Sequence, residues 1–123
     1  MEKCQENAVI ILNYINIHKI LSPQYVSLGD TIYADRRLYL GVFEARTPAE
    51  VGAIYARFNR SEPWASFRAG LGPDRATGIY DDHDYGLNSA GAEFPLKKES
   101  QRMLLDFWKE PAASKRWTRE GWG

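Results

Sequence analysis

Apolar positions along this chain fall into short runs punctuated by proline, glycine and acidic residues, a pattern that predicts alternating helices and strands. Ala8 to Leu21 sets Val9, Leu12, Ile15, Ile17, Ile20 and Leu21 at spacings that partly fit a helix. Ile10 and Ile11 make its apolar face nearly continuous, and Ser22-Pro23 ends it because the residue before a proline is biased out of the helical region. Tyr25-Val26-Ser27-Leu28 predicts a short buried strand that stops at Gly29-Asp30, where glycine permits a sharp turn. Thr47-Pro48-Ala49-Glu50 then carries the marks of a helix start: an N-cap, a proline at the first helical position and a glutamate that completes a capping box. Val51, Ile54, Tyr55 and Phe58 follow at i, i+3, i+4 and i+7, so this helix has one apolar face, with Tyr55 and Phe58 in the core.

Ser61 to Pro73 holds Pro63, Gly70, Gly72 and Pro73 and predicts a short helix and loop leading into a strand over Thr77 to Tyr80. Tyr85-Gly86-Leu87-Asn88 predicts a turn, and Phe94-Pro95 announces a helix from Pro95 to Lys109, closed by Pro111. Its stripe is Leu96, Met103, Leu104, Phe107 and Trp108, with Lys97, Lys98 and Arg102 facing water. The tail from Ala112 to Gly123 has no period, and its Trp117 and Trp122 need a surface to pack on.

Two acidic clusters each follow a predicted strand. Asp30 and Asp35 follow the first, and Asp81-Asp82-His83-Asp84 follows the second. Like charges set beside an apolar segment cost stability unless a cation or hydrogen bonds compensate them. Two strands ending at one sheet edge would bring Asp30 and Asp82 together, on loops at the carboxyl ends where open α/β sheets place their ligands. A carboxylate beside His83 would orient its ring and raise its basicity.

Composition narrows the function classes. Sixteen basic residues balance sixteen acidic ones across 123 residues, so no nucleic acid or anionic membrane is expected as partner from charge. The length suits one domain with a modest core. Cys4 is the single cysteine, which excludes an internal disulfide and a cysteine-based zinc finger. The run from Ala8 is interrupted by Asn13, Asn16 and His18, far short of the ~20 residues of a membrane span. Nothing near Met1-Glu2-Lys3 or Leu21-Ser22-Pro23 makes a secretory signal, so the compartment stays open.

The segments Leu28-Gly29-Asp30-Thr31-Ile32-Tyr33-Ala34-Asp35 and Ile79 to Asn88 resemble the two successive signatures of the alkaline phosphatase D family, within the calcineurin-like metallophosphatases. Glu93 to Lys97, Leu104 to Phe107 and Ser114 to Gly121 are similar to that family's continuation. The resemblance implies hydrolysis of phosphate mono- or diesters by a metal-activated water at a dinuclear site of iron and calcium. It implies Asp30 as the bridging metal ligand, Tyr33 as a phenolate ligand to iron and Asp82 as a ligand to the second metal. It further implies His83 as the residue that contacts the phosphate and assists the leaving group, with Asp84 positioning it. Asp81 and Asp35 suit supporting or turn roles.

The family's other metal-binding segments have no clear counterpart, Cys4 being a weak candidate, and Asp30, Tyr33 and Asp82 alone leave two coordination spheres incomplete. The expected fold is therefore α/β, a partial calcineurin-like metallophosphatase sheet with flanking helices whose N- and C-terminal parts are missing. An exposed sheet edge and self-association through it are expected to follow. The alternative function is a truncated, inactive binding or interaction module that keeps the family's sheet edge. An EF-hand loop begun at Asp81 fails, because Ala92 stands where the bidentate glutamate belongs. Arg36-Arg37 reads as a solvated pair, with phosphate contact as the alternative, and His18 as a partly buried helix residue.

Overall fold

A computed structural model describes residues 24–72 and 74–119. The helix expected over Ala8 to Leu21 lies outside the described residues, as do Cys4 and His18. Within them the fold is mixed α/β. Strand β1 (Tyr25–Ser27) leads to a hairpin of β2 (Arg36–Tyr39) and β3 (Val42–Glu44), followed by helices α1 (Pro48–Arg60) and α2 (Glu62–Leu71). Strand β4 (Ala76–Gly78), a single helical turn α3 (Asp82–Tyr85), helix α4 (Lys97–Trp108) and a 3₁₀ turn (Lys115–Trp117) complete the order.

β1 and β4 pair in parallel, with Tyr25 opposite Ala76 and Ser27 opposite Gly78. Parallel neighbours require a long crossover, and the hairpin with α1 and α2 supplies it. The strand expected over Thr77 to Tyr80 begins one residue earlier and ends at Gly78, because the chain turns to start α3. The first strand ends at Ser27 and is less buried than its composition implies: Val26 is 53% and Leu28 77% exposed. Alternate side chains of a strand face opposite sides, and among the described residues only one side of this pair is covered.

Helix α1 starts as its sequence dictates. The Glu50 amide donates to Thr47 Oγ1 at 3.3 Å while Glu50 Oε2 accepts from the Thr47 amide at 2.9 Å, the reciprocal arrangement of a capping box. In place of the short helix and loop expected from Ser61 on, α2 runs ten residues. Pro63 is accommodated in its first turn, where an absent N–H is no loss, and Gly72 takes a φ of +95° as its C-cap. The β2–β3 hairpin has no counterpart among the expected elements. The predicted helix over Pro95 to Lys109 is found at Lys97–Trp108.

The core is aromatic. Trp64 of α2 stacks on Phe107 of α4 with ring centroids 5.6 Å apart, and Tyr25 of β1 meets Phe67 edge-on at 5.0 Å. Leu104 and Leu105 are almost fully buried on α4. Sheet and helix meet at Gly78, where a Cβ would lie 2.6 Å from the Trp108 ring and 2.9 Å from Ser27 Cβ. No helix among the described residues is long and apolar enough to cross a membrane.

Two glycines separate packing from helix propensity. Gly78→Ala forces a methyl into the Trp108 contact and is expected to lower stability by about 1–3 kcal/mol. Gly70→Ala, in α2 with nothing within 4 Å, is expected to raise it by about 0.5–1 kcal/mol. Urea unfolding measures both, and an unchanged midpoint for Gly78→Ala would contradict the packing described.

Candidate functional site

The parallel register of β1 and β4 fixes where the acidic clusters go. Ser27 lies opposite Gly78, and the Ile79 amide donates to the Ser27 carbonyl at 3.0 Å. Asp30 is three residues beyond Ser27 and Asp81 three beyond Gly78, so both loops leave the same sheet edge side by side. Their approach is close: a Cβ on Gly29 would sit 2.5 Å from Asp81 Cβ and 2.8 Å from the Asp81 nitrogen. Gly29 has a φ of +112° and Asp30 of +51°, a left-handed pair that glycine adopts freely and aspartate tolerates.

Carboxylate oxygens of Asp30, Asp81 and Asp82 all lie within 4.8 Å of one another, the only such group among the described residues. The segment from Asp82 to Tyr85 is a helical turn rather than the expected loop. Asp81 is its N-cap and accepts from the Asp82 amide at 2.9 Å. Asp82 is fixed in turn, with Oδ1 accepting from the His83 amide at 2.9 Å and Oδ2 from the Ser89 amide. Each carboxylate oxygen has a second lone pair, so these bonds orient Asp82 without exhausting it. Tyr33 adjoins the group, its hydroxyl donating to Asp30 Oδ2 at 3.2 Å.

His83 is served by Asp35, not by Asp84. Its Nδ1 lies 2.9 Å from Asp35 Oδ2, which also accepts from the Asn88 amide at 2.8 Å. An ionised carboxylate only accepts, so the proton sits on Nδ1 and Nε2 is left for chemistry. The ring packs between Tyr33, centroid 4.5 Å away, and Phe43 of β3 at 5.4 Å. The His83 carbonyl accepts from the Ala34 amide at 3.1 Å. Asp35 read in the sequence as a supporting residue, and this is the support it gives. Phe43 had one weak signal, the glycine at 41 between two stretches rich in aromatic and branched residues.

Asp84 has a different task from the expected one of positioning His83. It is 1% exposed, and its carboxylate accepts from the Ile32 amide at 2.7 Å and the Asp81 amide at 3.1 Å. One buried side chain thus ties the Asp30 loop to the start of α3. Burial pushes its carboxyl up from 3.8 to about 6, with the Asp30 charge adding to the rise and the backbone donors of Ile32, Asp81 and Asp30 opposing it. Burial also pushes the Tyr55 phenol up, and the Asp84 charge adds to it.

The Asp84 shift has a sign that can be measured. A carboxyl whose folded value exceeds its unfolded one contributes stability at low pH that disappears as pH rises through the folded value. In chelator-treated protein, the stability of wild type minus that of Asp84→Asn is expected to fall by roughly 2–3 kcal/mol between pH 4 and pH 7, half of it by about pH 5, and to level off above the folded value of about 6. Denaturant melts at stepped pH give this difference, and a flat profile would contradict the assignment.

Comparison with protein-family models, with curated proteins and with solved structures finds no match for this chain.

Proposed function

We propose that this protein is a metal-dependent phosphoesterase of the alkaline phosphatase D type, acting on phosphate mono- or diesters. The observation that carries the reading is the group of Asp30, Asp81 and Asp82 beside a His83–Asp35 pair at one sheet edge. Sequence resemblance supplies the reaction class, and the calcineurin-like architecture it implies is part of the same proposal.

The donors fit a cation. Three carboxylates so close repel one another, and their oxygens suit hard ions such as calcium. Tyr33 adds a phenol beside Asp30, a donor suited to iron. When bound, such a cation supplies Lewis-acid activation of water and neutralises phosphoryl charge. Asp30, Asp81 and Asp82 would hold it, Asp81 joining the ligands that the resemblance implied. His83 holds its Nδ1 proton on Asp35, which also stabilises the imidazolium, so Nε2 can deliver a proton to the departing oxygen. Tyr33 and Phe43 fix the ring plane, and Asp84 acts through the backbone by keeping the two loops in register.

A second reading is favoured by the presence of one carboxylate group rather than two among the described residues. It is a cation-holding interaction module without turnover. Hydrolysis of bis(p-nitrophenyl) phosphate with and without iron and calcium separates the readings. Turnover is expected to depend on metal, to vanish in Asp30→Ala and Asp82→Ala, and to fall by about 10²–10⁴-fold in His83→Ala. Folded protein that binds metal without turnover establishes the module instead, and turnover unaffected by all three variants sinks both readings.

A further inference from the structure

On the face of α4 that meets the C-terminal segment, a concavity of about 410 Å³ has the opposite electrostatic character to the carboxylate group. Its apolar floor is Leu105, 2% exposed, with Trp117 beside it. Its charged lining is Lys98, Arg102 and Arg119, and no acidic side chain of a described residue lines it. None of these three cations makes an ion pair or side-chain hydrogen bond with a described residue. Arg36 and Arg116, by contrast, each hold a glutamate.

The wall that completes this cavity is anchored rather than draped. Gln101 Nε2 donates to the carbonyls of Arg116 and Arg119, both at 2.7 Å. Arg116 donates to the Gly78 carbonyl at 2.6 Å, to Thr77 Oγ1 at 3.1 Å and to Glu110 Oε2 at 2.7 Å. Trp117 Nε1 donates to the Pro111 carbonyl at 2.9 Å. These bonds pin the segment from Lys115 to Arg119 against α4 and hold Arg119 at the rim opposite Lys98 and Arg102. In a chain whose charges balance overall, three cations without an ion pair among the described residues around one concavity focus positive potential there.

We propose that this cavity binds a small organic phosphate, its phosphate taken by Lys98, Arg102 and Arg119 and its apolar or ring portion set against Leu105 and Trp117. Guanidinium groups match phosphate oxygens in bidentate geometry, and the volume falls within the range of small-ligand sites. Gln101 is a positioning residue, since its amide is committed to the wall. The site is distinct from the carboxylate group: that one takes a cation, this one an anion.

Calorimetric titration of the purified protein, with chelator present to silence the carboxylate group, tests the assignment using adenosine 5′-monophosphate, inorganic phosphate and adenosine as probes. The two phosphate-bearing probes are expected to bind saturably and to weaken as salt rises, with adenosine much the weakest of the three. The ratio of nucleotide to inorganic phosphate affinity measures what the apolar floor adds. The exposed double variant Arg102→Gln/Arg119→Gln is expected to lose at least about tenfold in affinity, and Lys98→Gln to lose severalfold. Asp30→Ala is expected to bind the probes as wild type does, which separates this cavity from the proposed phosphoesterase site. Absence of saturable binding by either phosphate probe to folded wild type, or full affinity in both charge variants, would overturn the proposal.

Discussion

Two backbone amides converging on one buried carboxylate set the geometry on which the rest of the site depends. Ile32 and Asp81 belong to loops from different strands, and Asp84 accepts from both. With that tie in place, Gly29 lies against Asp81, the Asp30 and Asp82 side chains meet, and the His83 carbonyl is held on the Ala34 amide. The arrangement sets burial against charge: a carboxyl inside the fold is disfavoured when ionised, and its two charge-assisted hydrogen bonds offset part of that cost. The same tie brings the carboxylates of Asp30, Asp81 and Asp82 together at the sheet edge.

Support reaches that edge from the helices. Trp108 of α4 presses its ring on Gly78, and Arg116 caps the Gly78 carbonyl, so the last residue of β4 is held from two directions before the chain turns into Asp81. On the other flank, the hairpin delivers Phe43 to the His83 ring. Acidic groups gather where the strands end, while Lys98 and Arg102 of α4 gather with Arg119 of the segment packed against it. A net charge of zero conceals this separation, which arises from topology rather than composition.

What was legible in the sequence was local. The start of α1 followed from Thr47, Pro48 and Glu50 because a capping box closes within one turn. Helix α4 followed from its stripe, and the meeting of the two acidic clusters followed from two strands each followed by an acidic cluster. The partner of His83 was not legible, since Asp84 adjoins it in sequence while Asp35 reaches it only after the chain has folded back across 48 positions. Asp84 is turned inward by the helical geometry of α3, a consequence of the Asp81 cap that a run of charges does not disclose. Pro63 and Gly70 pointed to loop because residue type alone does not say whether a proline sits in a first turn, where it is tolerated. Burial of β1 was overstated because a strand's composition cannot report whether its second face is covered.

Folding, not residue type alone, brings Asp30, Asp81 and Asp82 together, and the proposal that they form one cation site rests on that meeting. Equilibrium titration of the purified protein with terbium(III), a hard oxygen-seeking ion, read by aromatic-sensitised emission and by competition with calcium, tests it most directly. One saturable class of site is expected, displaced by calcium, weakened by at least about tenfold in Asp30→Asn and in Asp81→Asn, and retained in His83→Ala. Emission that never saturates in folded protein, or that is unchanged when Asp30 and Asp81 are neutralised, would contradict it.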